Sequence, residues 1–92
     1  MLKLDDALFN WLQIKLVADA RPGDEAAKET ELFFREILTE DHGLEEFSVS
    51  HVDNTMCYVS FTKADKKKTQ MYDRQAAEQL LIDINSNPKY NE

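Results

Sequence analysis

The chain is poor in the residues that specialised scaffolds require. It holds one cysteine, Cys57, so an internal disulfide is excluded and a reducing compartment suits it. It holds two glycines, Gly23 and Gly43, too few for a loop that cradles phosphate, and no nucleotide fingerprint fits. Its two histidines, His42 and His51, are not at helical ligand spacing. There is no Cys-x-x-Cys and no calcium-loop pattern, so neither a metal nor another cofactor is expected. No apolar run approaches the length that spans a bilayer. The start, Met1 to Asp6, turns acidic at once and lacks a signal-peptide cleavage pattern, so an unprocessed cytoplasmic protein is expected.

Positive charge is also scarce. Eleven Lys and Arg stand against eighteen Asp and Glu, a net charge of −7. Asp24 to Glu46 alone holds nine acidic residues against Lys28 and Arg35, and the rest of the chain balances. Nucleic acid and anionic membrane are therefore not expected as partners, since phosphate binding needs a basic footprint. Lys66-Lys67-Lys68 is the sole basic run, and it reads as a solvated turn that discourages strand pairing.

What is present is ordinary globular material. Ninety-two residues make one domain with a modest core. An apolar fraction of 42% and a charged fraction of 32% exclude a disordered chain.

The stretch 47–62 reads as a β-hairpin. Val, Phe and Tyr favour a pleated, half-buried surface, and Asp53-Asn54 tolerates turn geometry. A three-residue loop, Asp53-Asn54-Thr55, pairs Val52 with Met56. Phe47, Val49, His51, Cys57, Val59 and Phe61 then share the core face, and His51 faces Cys57. Val52, Met56 and Tyr58 form an apolar patch on the other face. A shorter loop would leave both faces half apolar, and register follows the segregated pattern.

Three helices flank the hairpin. The first is expected from about Asp5 to Ala20, capped by Asp5 or Asp6. Leu4, Leu8, Trp11, Leu12, Leu16 and Ala18 fall on one arc, with Phe9 at its edge and Ile14 and Val17 at or beyond its margins. That arc is wide enough to require cover on more than one side, by the rest of the domain or by a second subunit. Lys15 and Asp19 are spaced to pair. Pro22-Gly23 breaks the chain and Asp24 caps a second helix, expected over Glu25 to Asp41. Ala26, Thr30, Phe33, Phe34, Ile37 and Leu38 form its expected buried stripe. Glu25, Lys28, Glu29, Arg35, Glu36 and Glu40 face away, with Leu32 among them. Gly43 ends this helix in the left-handed conformation.

Thr69 to Tyr72 reads either as the start of the last helix or as a third strand at 68–72. The strand is favoured, because Asp73 is a good cap for a helix starting at Arg74 and a lone hairpin is marginal. Ala76, Ala77, Leu80, Leu81 and Ile84 mark the last helix, which ends near Asn85. Asn87-Pro88 forbids continuation, and 88–92 reads as a loose tail. The expected fold is α+β: two N-terminal helices, a small antiparallel sheet, and a C-terminal helix packed on one face.

No catalytic constellation is evident. His51 beside Cys57 resembles a base and a thiol nucleophile, but the pair faces the core and has no third member to orient the imidazole. The reading with most support is a non-enzymatic protein-interaction or regulatory module, with a homodimer burying the sheet's open face or the edge of its first strand. The expected interaction surface is Val52, Met56 and Tyr58 on the sheet, and Glu25, Glu29, Leu32, Glu36 and Glu40 on the second helix. The alternative is a small-molecule-binding or minor catalytic domain with a pocket near His51 and Cys57.

Overall fold

The computed structural model describes residues 3–86. Helix α1 spans Leu4–Ala20 and α2 spans Glu25–Glu36, running on into one wide π-helical turn, Ile37–Asp41. Strands β1 (Leu44–Val52), β2 (Met56–Lys63) and β3 (Lys66–Asp73) come next, then α3 (Arg74–Ser86). The strands form one antiparallel sheet in the order β1-β2-β3, and α3 contacts that sheet, so the α+β reading holds. The proposed tail at 88–92 lies outside the described residues.

Helix α1 is the centre of the packing. Leu8, Trp11 and Leu12 are buried with Leu38, Leu44, Cys57, Val59, Phe61 and Ala77. Ile14 and Val17 pack instead with Ala27 and with the partly buried Phe34, Leu80, Leu81 and Ile84. The wide apolar arc is thus covered within the chain, by the sheet on one side and by α2 and α3 on the others. Each fully buried leucine here contributes roughly 1.5–3 kcal/mol relative to exposure. The cap of α1 differs from expectation. Lys3 occupies the N-cap with no side-chain bond, and Asp5 and Asp6 lie in the first turn, where they suit the positive end of the helix dipole.

Helix α2 starts as expected, with the Asp24 carboxylate accepting from Ala27 N–H at 3.0 Å. Its buried stripe matches the expected residues only in part. Ala27, Glu31 and Leu38 are buried, Phe34 and Ile37 are half-buried, and Ala26, Thr30 and Phe33 are exposed. Glu31, which the expected stripe did not include, is buried because the buried Trp11 and the half-exposed Arg35 satisfy its carboxylate. The α-helix also stops at Glu36 rather than Asp41. His42 N–H reaches the Ile37 carbonyl at 3.2 Å, which closes the wide turn. Gly43 then takes φ +69°, as its lack of a side chain allows.

The hairpin register is half as expected. Phe47 pairs with Phe61, Ser48 with Ser60 and Val49 with Val59. The ladder then shifts at Ser50, so His51 pairs with Tyr58 and Val52 with Cys57. This β-bulge moves His51 off the helix-facing side and Val52 onto it. Strand β1 also begins earlier than expected, at Leu44, with an irregularity at Glu45.

Strand β3 is longer than expected. Lys63 pairs directly with Lys66, so the turn is only Ala64-Asp65, both at positive φ (52° and 62°). The lysine run is therefore part of an edge strand rather than a turn. Asp73 caps α3 by accepting from Ala76 N–H at 3.0 Å. Arg74 N–H donates to the Thr55 carbonyl at 2.8 Å, and its Nη1 donates to the Asp53 carbonyl at 2.9 Å. The first residue of α3 thereby locks the tip of the β1–β2 hairpin.

Candidate functional site

The Ser50 bulge dismantles the thiol–imidazole pair. Cys57 is fully buried in the core, and burial raises its thiol pKa, with Glu78 adding to the effect. His51 is exposed and lies against the Tyr58 ring, with centroids 5.4 Å apart. Cys57 and His51 are therefore not placed as a thiol and its imidazole base. Among the described residues no group of three or more His, Cys, Asp or Glu side chains is placed to hold a metal ion.

The best-built site lies on the other side of β1. A cleft of about 450 Å³ opens between the helices and the first strand. Trp11, Lys15, Leu16 and Asp19 of α1 form one wall, and Phe47, Ser48, Val49 and Val52 of β1 form the other. Arg35 of α2 closes one part of the rim. Trp11 meets Phe47 edge-on, with centroids 5.0 Å apart and planes at 89°.

Beneath the rim sits Glu31, only 8% exposed. Trp11 Nε1 donates to Glu31 Oε2 at 2.8 Å. Arg35 donates to both carboxylate oxygens, Nε to Oε2 and Nη2 to Oε1, each at 3.0 Å. The guanidinium also lies 5.9 Å above the Phe47 ring, within cation–π range. The two-pronged bond and the stacking fix its plane. Lys15 and Asp19 pair at 3.0 Å along the same rim, as their spacing predicts.

Two other surfaces remain. The open face of the sheet is mostly polar, with Ser48, Ser60, Thr62 and Thr69 along its middle, Tyr58 and Met56 half-buried and Met71 exposed at one corner. Such a face can stand in water unaided. Val52, expected there, lines the cleft instead, for the bulge turns it. At that corner Asp53 organises the hairpin tip. Its carboxylate accepts from Thr55 N–H at 2.9 Å, Met56 N–H at 2.7 Å and the Tyr58 hydroxyl at 3.2 Å. The two backbone N–H bonds hold the Asp53 pKa down, and the same carboxylate raises that of Tyr58. On α2 and the wide turn after it, Glu25, Glu29, Glu36 and Glu40 are all exposed, as expected. Leu32 and Phe33 stand exposed among them, at 54% and 58%.

Sequence reasoning missed the Trp11–Glu31–Arg35 cluster. The signal that would have found it is the Glu-to-Arg spacing of four on a helix, with the glutamate four residues beyond Ala27 and seven before Leu38. No family model matches this chain, and no curated protein or solved structure is significantly similar to it. No helix among the described residues is long and apolar enough to cross a membrane.

Proposed function

We propose that this chain is a small, cytoplasmic, non-enzymatic protein-interaction module that binds a basic, amphipathic segment of a partner through the outer face of α2. The observation that carries this reading is the exposed pair Leu32 and Phe33 within a row of exposed glutamates. Two large adjacent apolar side chains in water favour a covering partner. The glutamates around them select a basic one and speed its approach. A cationic Lys/Leu helical peptide tests the idea by titration at physiological salt. The double variant Leu32→Ser, Phe33→Ser keeps every charge and should bind at least tenfold more weakly. Equal binding by the two proteins would mean charge attraction alone and would overturn the reading.

A specific observation also favours a homodimer joined at β1. The sheet has two edges. The β3 edge carries Lys66, Lys67 and Lys68, all exposed, which oppose the pairing of a like strand. The β1 edge has no lysine, and its regular part, Glu46 to Val49, borders the cleft. Antiparallel pairing about Ser48 would set Phe47 of one copy opposite Val49 of the other. Light scattering at tens of micromolar should then give twice the chain mass, and Val49→Lys should reduce it. A strict monomer ends this part of the proposal.

A further inference from the structure

We infer that the cleft between α1 and β1 is a binding site for a small carboxylate with an apolar body, and that Arg35 is the residue that recognises the carboxylate. The inference is independent of the partner surface proposed on α2, whereas a copy paired at β1 would lie along the same cleft wall.

The cleft has the size of a ligand site. Its volume of about 450 Å³ falls within the roughly 300–1,000 Å³ typical of small-molecule pockets. Its walls supply an apolar floor from Trp11, Leu16, Phe47 and Val49. That floor suits a flat or branched hydrocarbon body.

The choice of head group rests on Arg35. Its Nε and Nη2 are committed to Glu31, and the two N–H groups of Nη1 make no hydrogen bond within the described residues. The side chain is half exposed at the rim, yet its plane is held by the fork from below and by Phe47. A guanidinium fixed in this way loses little freedom when it takes a further anion, so its binding is pre-organised. Glu31 is not itself a contact for the ligand. Both its oxygens are engaged, and it lies beneath the rim. Its part is to position Arg35. This also accounts for a glutamate on a stripe where an apolar residue would stabilise the fold at lower cost, since buried ion pairs are poor stabilisers. Lys15 is paired with Asp19 on the same rim, so that pair adds no net charge and the recognition falls to Arg35. An amide can accept a single hydrogen bond from the outer N–H groups of Arg35, whereas a carboxylate makes a stronger charge-assisted one, so the charge on the head group should decide affinity.

Trp11 is the only tryptophan in the chain and, though only 1% exposed, it sits under the cleft against Phe47 and Glu31, so its emission senses a ligand that perturbs them. The probes are 3-phenylpropanoate and its primary amide, titrated into the wild-type protein. The expected result is a saturable change in emission, with the carboxylate at least tenfold tighter than the amide. Arg35→Gln should abolish that preference, and Arg35→Lys should keep only part of it. The wild-type comparison needs no variant to fold, so a destabilised Arg35→Gln does not blunt the test. Equal affinity for acid and amide would overturn the role of Arg35, and no saturable change with either would overturn the site.

Discussion

Trp11 Nε1 and Glu31 Oε2 lie 2.8 Å apart, joining α1 to α2 through a bond that both partners need. Without it the buried Trp11 N–H would have no partner and Glu31 would keep only Arg35, and an unpartnered buried polar group costs more than a typical hydrogen bond gains. Glu31→Gln keeps the shape but cannot accept from Trp11 and both Arg35 donors together. It should lower unfolding free energy by about 1–3 kcal/mol, measured by urea denaturation monitored at Trp11. An unchanged midpoint would mean that water satisfies these groups as well as Glu31 does.

Phe33 and Phe34 are adjacent in sequence and opposite in consequence. Phe34 is packed against both apolar clusters, whereas Phe33 is 58% exposed. Phe34→Ala should cost about 2–4 kcal/mol and Phe33→Ala less than about 0.5 kcal/mol. Thermal or urea unfolding of the two variants side by side checks this. Similar losses would return Phe33 to the core.

This contrast marks how far the sequence could be read. The turn signals were legible: Asp24 and Asp73 cap helices, Gly43 adopts positive φ, and the hairpin and third strand are present. These features are local, and local chemistry decides them. Other features were not legible, and two of them bear on the site. One is the displaced stripe of α2, where Glu31 is buried only because Trp11, twenty residues away, and Arg35 receive its charge. The other is the bulge at Ser50. A single unpaired residue reverses the sides of His51 and Val52, and no alternation rule anticipates where it falls. Both errors landed on the candidate site. The cleft lies where the polar cluster and the shifted strand meet.

The hairpin tip should be acid-sensitive. Hydrogen bonds from Thr55 and Met56 lower the folded-state pKa of Asp53, so its contribution to stability is present above the ordinary aspartate value of about 4. It is lost as pH falls through the depressed folded value. Asp53→Ala should be less stable than wild type at pH 7, and the gap should narrow on acidification. Denaturation midpoints measured from neutral pH down to acid would reveal it. A constant gap would assign the loss to packing rather than to the carboxylate.

The Ala64-Asp65 turn offers a stabilising change. Both residues are in the left-handed region, which L-alanine disfavours and asparagine tolerates. Ala64→Asn should raise unfolding free energy by about 0.5–1 kcal/mol without touching any proposed site. Calorimetry showing no rise in Tm would count against the turn geometry.

The buried Cys57 thiol should be inert in the native protein. Alkylation at neutral pH should proceed only as fast as the core opens, and should accelerate sharply in denaturant. Rapid labelling of the folded chain would place the thiol at the surface and reopen its chemistry.

The unequal edges of the sheet limit any assembly that extends it. The bulge at Ser50 and the irregularity at Glu45 bracket the regular part of β1, and three lysines occupy the far edge at β3. A strand added at β1 finds no equivalent place to continue on the other side. Were two copies to pair at β1 as proposed, both outer edges would be lysine-bearing β3 strands, which disfavour a third copy, so the proposed pairing would stop at a dimer.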